Sequence, residues 1–272
     1  MTDDPRYARH IGLFGVEGQE RIAATSAAIV GLGGLGCHVA QQVAYLGVSD
    51  FALADADAVS ESNLNRLVGA GAGDVGAPKV EIAARVIRSI QPDARVDTAP
   101  APFNANSPPA EFARSTVLFG CVDEDPARLE LLRHASAHKL PYIDLASDVA
   151  PGGEFGGRVV FAKDGERCLS CLDELDQHAL ARAQMTPEQR TADDRIYGIE
   201  RDALDDGGPS VVSINGVVAS LAITEFMAWR TGLREPAGHL NYRGDRGTVG
   251  RRADPERTYC HYCMTLWGAA AD

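Results

Sequence analysis

Ala27-Ala28-Ile29-Val30-Gly31-Leu32-Gly33-Gly34-Leu35-Gly36, followed by Phe51-Ala52-Leu53-Ala54-Asp55, is the stretch that decides the fold. Ala27–Val30 is a short apolar run with the character of a buried strand, and it meets a glycine cluster at once. Cys37 to Leu46 then places Val39, Val43 and Leu46 at helical spacing, and Gly47 stands where a helix ends on a C-cap glycine. Phe51–Ala54 is a second short strand that closes on Asp55. Strand, glycine turn, helix and strand in this order make a βαβ unit. Gly31, Gly33 and Gly36 match G-x-G-x-x-G, with Gly34 inside the turn. The first glycine permits the tight turn, the second lets backbone approach a phosphate or sugar, and the third lets helix and strand pack closely. Free N–H groups at the helix start attract an anion. Asp55, 19 residues beyond Gly36, has the reach to accept hydrogen bonds from ribose hydroxyls. This much fits ATP and NAD equally, since both carry an adenosine. No G-x-x-x-x-G-K-[ST] occurs, so a triphosphate must find its cations outside a P-loop.

The β/α alternation continues downstream. Lys79 to Ile90 is amphipathic, Val96–Thr98 and Thr116–Cys121 read as strands, Pro126–His138 as a helix, and Tyr142–Ala146 as a strand. The expected fold is α/β: a doubly wound, Rossmann-like, mainly parallel sheet. Gly156–Ala162 reads as a strand outside the strict rhythm. The whole chain, 1–272, is expected to form one domain. Residues 1–26 are its polar N-terminal arm, with a short helix from Gln19 to Ser26, and 27–150 are its nucleotide-binding core. Residues 172–208 are charged and poor in large apolar side chains, and are read as a mobile crossover loop with a helix at 187–192. Residues 209–272 supply a C-terminal helix and tail. Val211–Trp229 is the most apolar stretch, but Asn215 and Glu225 within it point to a buried helix and not a membrane span.

Composition agrees with this reading. Apolar residues are 45% and charged residues 24%, ordinary soluble values. The formal net charge of −12 disfavours nucleic acid or an anionic membrane as partner. The N-terminal MTDDPRYARH lacks the basic-then-apolar pattern of a signal peptide, so a cytoplasmic location is expected. Four of the 6 cysteines fall in two pairs, Cys168-Leu-Ser-Cys171 and Cys260-His-Tyr-Cys263. In a reducing compartment this spacing reads as a metal site before a disulfide, and four thiolates leave no open position on tetrahedral zinc. The pairs stand 88 residues apart, so the metal would staple the tail to the segment after the sheet. Cys37 and Cys121 read as small buried apolar residues.

The residues after the second strand carry a resemblance. Asp55-Ala-Asp57-Ala-Val-Ser-Glu-Ser-Asn63-Leu-Asn-Arg66 resembles the D-x-D-x-V-x-x-S-N-L-x-R stretch of the ThiF/MoeB family, the ubiquitin-activating-enzyme-like adenylyltransferases. Gly76-Ala-Pro78-Lys79 is similar to its G-x-P-K, Arg6-Tyr7-Ala-Arg9 to its N-terminal R-Y-x-R, and Cys121-Val-Asp123 stands at its C-T-D. Both CxxC pairs stand where zinc-bearing members carry them. His10, Leu67 and Glu124 depart from the family's common Gln, Gln and Asn.

The resemblance implies ATP-dependent adenylation of a carboxylate with release of pyrophosphate. It implies that Arg66 and Lys79 contact phosphates, that Asn63 positions the nucleotide or leaving group, and that Asp55 binds the ribose. Asp123 would hold Mg2+, although it also stands where it could cap the following helix. Asp57 is either a second ligand contact or a turn-forming residue. Arg9 would reach the phosphates of the neighbouring subunit of a homodimer. The implied substrate is a ubiquitin-like or sulfur-carrier protein ending in Gly-Gly, whose glycines suit a narrow channel. Alternatives are adenylation of a small peptide or a tRNA-attached carboxylate, and an NAD-dependent oxidoreductase, which leaves Asn63, Arg66, Lys79 and Arg9 without a role. No cysteine occurs from 172 to 259, so the reaction is expected to stop at the adenylate and pass it to an external nucleophile.

Overall fold

The structure, a computed structural model, describes residues 4–150, 152–186, 188–190, 209–253 and 259–268. The elements are α1 (Ala8–Ala23), β1 (Ser26–Val30), α2 (Gly36–Leu46), β2 (Asp50–Ala54), α3 (Lys79–Ile90), β3 (Arg95–Ala99) and β4 (Val117–Gly120). They are followed by α4 (Asp125–Ala137), β5 (Tyr142–Val149), β6 (Phe155–Ala162), α5 (Gln177–Ala183), α6 (Val212–Thr231), β7 (His239–Arg243) and β8 (Thr248–Arg251).

The eight strands form one sheet in the order β3-β2-β1-β4-β5-β6-β7-β8. The first five run parallel, and β5-β6-β7-β8 continues antiparallel. All five residues of β1 are buried, as a central strand covered on both faces must be. The chain lays down β2 and β3 on one side of β1 and β4 on the other. Connections therefore leave in opposite directions at the carboxyl ends of β1 and β4, and a crevice opens there.

Each face of the sheet has its own core. Ile29, Leu53, Phe119 and Leu145 meet Val39, Val43, Val80, Ile87 and Phe226 on one side. Ala28, Leu118, Tyr142 and Val160 meet Leu131, Leu132 and the cysteine segments on the other. The helix Val212–Thr231 is long and apolar enough to cross a membrane by composition alone. Here it lies on the sheet, with Val218, Ala219, Ala222 and Phe226 buried. Its Glu225 is satisfied by Arg234, at 2.6 and 2.7 Å, and by the backbone N–H of Ala237 at 2.7 Å. A buried carboxylate so paired marks a core helix.

Two elements differ from the sequence reading. The N-terminal segment is a 16-residue helix kinked where Gly15 adopts φ 75°, not a polar arm with a helix from Gln19. Phe14 and Ile22 on α1 enter the core, and Tyr7 is locked by the Gln91 side chain, which also donates to the Ala44 carbonyl at 2.9 Å. The hairpin β7–β8 was not expected, because its strands are short and its second strand is wholly exposed. Of the helix expected at 187–192, residues 188–190 are described and are helical, and the rest lies outside the described residues. Residues 191–208 of the expected crossover loop also lie outside them.

Candidate active site

The glycine turn closes as its spacing demands. Gly31 has φ 84°, a left-handed value, and a Cβ there would stand 2.6 Å from the Cys121 carbonyl oxygen. A Cβ at Gly36 would collide with the Gly31 carbonyl, and one at Gly34 with the Asn215 side-chain amide. Gly33 is different: a Cβ there would have no neighbour within 4 Å among the described residues. Its freedom faces the crevice. Asp55 ties the turn to β2, accepting from the Leu32 N–H at 2.5 Å and the Asp57 N–H at 2.8 Å. Burial pushes the Asp55 carboxyl above its ordinary value, and the two backbone donors oppose that push.

The crevice is a cavity of about 600 Å³ at the ends of β1, β2 and β4. Gly31, Gly33, Gly34, Asp55, Asp57, Asn63, Arg66, Lys79 and Asp123 all line it. Lys79 opens α3, and its ammonium lies 2.7 Å from the Asp57 carboxylate, so Asp57 is an ion-pair partner and not only a turn residue. The Asn63 side-chain oxygen accepts from the Ser60 N–H at 3.2 Å, closing a short 3-10 turn. Arg66 donates to the Ser62 carbonyl at 2.6 Å and to Asn65 at 3.1 Å, and among the described residues no carboxylate pairs with it. The Cys37 thiol accepts from the Val68 N–H at 3.3 Å, which pins this loop to the start of α2. Asp123 is exposed on the cavity wall. Glu124, not Asp123, is the N-cap of α4, and its side chain makes no capping bond. The reading of Asp123 as a helix cap therefore fails.

One site residue, Arg9, is expected to serve a neighbouring subunit and not this cavity. Arg9 is exposed on α1 and does not line it. Several lining residues were missed: Phe103, Arg128, Ser147, Asp148, Ser210 and Asn215. Asn215 offered a signal, a polar residue in an apolar helix. It is 1% exposed and joins the end of β5 to the approach to α6, accepting from Ser147 at 2.8 Å and donating to Ser210 at 3.0 Å. Cys37 and Cys121 are buried thiols whose pKa values burial pushes up, the opposite of what a nucleophile requires.

The two cysteine pairs meet. The four sulfurs lie within 4.8 Å of one another. Cys168 stands 3.6 Å from Cys171 and 3.5 Å from Cys260, and Cys171 stands 3.6 Å from Cys263. Sulfurs about 2.3 Å from a tetrahedral zinc are roughly 3.8 Å apart, whereas a disulfide requires about 2.05 Å. The donor set and spacing fit zinc.

The chain matches the ThiF family over residues 7–261. It belongs to the ThiF family. The molybdopterin-synthase adenylyltransferase of Escherichia coli K12 is 36% identical over 172 residues, 62% of this chain and 68% of that protein. The sulfur carrier protein ThiS adenylyltransferase of the same organism is 29% identical over 241 residues, covering 88% and 86%. The SAMP-activating enzyme E1 of Haloferax volcanii is 38% identical over 129 residues, 47% of this chain and 48% of that protein. Among solved structures, E. coli MccB with ATP superposes with a TM-score of 0.74 at 20% identity, over 96% of this chain and 75% of that one. That likeness is one of fold. This ThiF-family chain is an adenylyltransferase, as its named relatives are. The oxidoreductase alternative left open by the glycine turn is set aside.

Proposed function

We propose that this enzyme adenylates the C-terminal carboxylate of a small ubiquitin-like or sulfur-carrier protein ending in Gly-Gly, in the cytoplasm, and releases pyrophosphate. The observation that carries the reading is the single cavity that gathers the glycine turn, Asp55, Asn63, Arg66, Lys79 and Asp123. Relatives named for molybdopterin synthase, ThiS and SAMP support the substrate class.

Asp55 has both oxygens held by backbone donors and keeps lone pairs for ribose hydroxyls. The open face of Gly33 admits phosphate close to the backbone. Arg66 and Lys79 then stand as cations for the phosphates, with Lys79 exchanging part of its contact with Asp57. Asn63, fixed through its oxygen, keeps its amide N–H groups for the nucleotide. The substrate carboxylate attacks the α-phosphorus, the new C–O–P bond forms, and the bond to the bridging oxygen breaks with its electron pair leaving on pyrophosphate. Positioning and charge neutralisation dominate such a transfer. Asp123 fits Mg2+: its carboxylate has no side-chain partner among the described residues and fronts the cavity. Magnesium, when bound, supplies charge neutralisation on the phosphates.

The four cysteines hold a structural zinc in this reading. Arg9, exposed and outside its own chain's cavity, serves the partner's cavity in a homodimer. Arg9→Ala and Lys79→Ala subunits, each inactive alone, then restore activity on mixing. With no reactive thiol placed at the site, the adenylate passes to an external nucleophile. Intact-mass spectrometry of candidate carrier proteins incubated with enzyme and ATP tests the proposal. The expected product is a carrier-AMP adduct that hydroxylamine removes, with no thioester to the enzyme. An enzyme–carrier adduct sensitive to thiol would overturn the assignment of the acceptor.

A further inference from the structure

We infer that Arg128 and Asp144 are positioning residues that set the aim of Asp123, an inference that rests on the adenylation reading. Asp123 lies in the loop between β4 and α4, and among the described residues nothing holds its carboxylate. Its direction is therefore set by the backbone of the loop. Arg128, one turn into α4, grips that backbone: one arm of its guanidinium donates to the Val122 carbonyl at 2.8 Å, and the other to the Asp123 carbonyl at 3.2 Å. The second arm also meets the Asp125 carboxylate at 2.6 Å. A planar fork spans two successive carbonyls, and an ammonium does not.

Asp144 holds the fork in place from behind. It stands on β5 with 0% exposure. It accepts from Tyr142 Oη at 2.8 Å and from Arg158 at 2.6 Å, and faces Arg128 Nε at 3.6 Å. A charge buried this deeply is kept only where partners satisfy it. Among the described residues Arg128 Nε has no hydrogen-bond partner, so the Asp144 charge is what compensates it.

The same network reaches the segment that leaves the cysteine cluster. Arg158 pairs with Glu174 at 2.9 Å and donates to its carbonyl at 3.3 Å. The other oxygen of Asp125 accepts from the Asp176 N–H at 2.7 Å. Residues 174 and 176 stand within five positions of Cys171, so the Asp123 loop and the cysteine segment are braced against one another through Arg128, Asp125, Asp144 and Arg158.

The test compares nucleotide binding by the full-length, zinc-replete enzyme and its Arg128→Lys variant, using Mg-ATP and AMP as probes in calorimetry. AMP reports on the glycine turn and Asp55, which Arg128 does not touch. The variant is expected to bind Mg-ATP about tenfold more weakly, close to 1.4 kcal/mol. Its magnesium midpoint at fixed ATP shifts upward, and AMP binding stays within about twofold of the parent. Asp144→Asn, which keeps the shape and removes the charge, repeats the pattern if the lysine variant does not fold. Equal weakening of both probes, or no shift in the magnesium midpoint, would overturn the inference while leaving adenylation intact. A parent enzyme that binds Mg-ATP no better than AMP would overturn the adenylation reading and this inference with it.

Discussion

Gly33→Ala separates folding from binding at the site. Among the described residues a Cβ at Gly33 meets nothing within 4 Å, and its φ is not in the left-handed region. The free enzyme therefore accepts alanine, and the lost freedom of the unfolded chain makes the variant equal to the parent or more stable by about 0.4–1 kcal/mol. The methyl group then occupies the mouth of the 600 Å³ cavity, where phosphate is to approach the backbone. One added carbon in a filled site costs about 1–3 kcal/mol, which is roughly a 5- to 150-fold loss of Mg-ATP affinity. Gly36→Ala is the control, because its Cβ collides with the Gly31 carbonyl, a backbone atom that cannot move aside cheaply. That variant is expected to melt early or not to fold. Differential scanning fluorimetry and calorimetry read the two effects side by side. A Gly33→Ala enzyme that melts like the parent and binds Mg-ATP like the parent would refute the placement of phosphate on this turn.

His134, only 4% exposed and with its ring centroid 4.3 Å from that of His138, has its pKa pushed down to about 4, mainly by burial. The unfolded chain takes up this proton near pH 6.5 and the folded chain does not, so stability falls as pH drops from about 6.5 to about 4, by at most ~1.4 kcal/mol per pH unit. Urea unfolding at several pH values is expected to show that limb, and His134→Leu to flatten it. Cys260→Ser is expected to reduce zinc from about one per chain to near none and to lower melting by several degrees. Metal analysis of a stable, zinc-free parent protein would contradict it.

The glycine-turn half of the cavity was legible because its devices are local. A glycine turn, its acidic partner and α3, whose span Lys79–Ile90 follows from its apolar face, are each written in contiguous residues. The CxxC pairs were legible through their spacing, although only the folded chain shows Cys168 against Cys260. What escaped is long-range. Asp144 reads as one acid in a strand, and only the register of β5 against β6 brings it to Arg158. Ser147 and Ser210 have no motif and acquire meaning only through Asn215. The N-terminal helix was misread because its apolar residues are sparse and Gly15 interrupts their period, so the packing of Phe14 and Ile22 decides it. Arg9 is expected to act on a neighbouring subunit, and it lies exposed outside its own chain's cavity.

ATP–pyrophosphate exchange reads the adenylation step itself. The enzyme is incubated with Mg-ATP, labelled pyrophosphate and a sulfur-carrier protein, either intact or lacking its two terminal glycines. Label is predicted to enter ATP only with the intact carrier, and to vanish in Lys79→Ala and Arg66→Ala enzymes. Exchange that is indifferent to the carrier's C-terminus, or unchanged in both variants, would contradict the account.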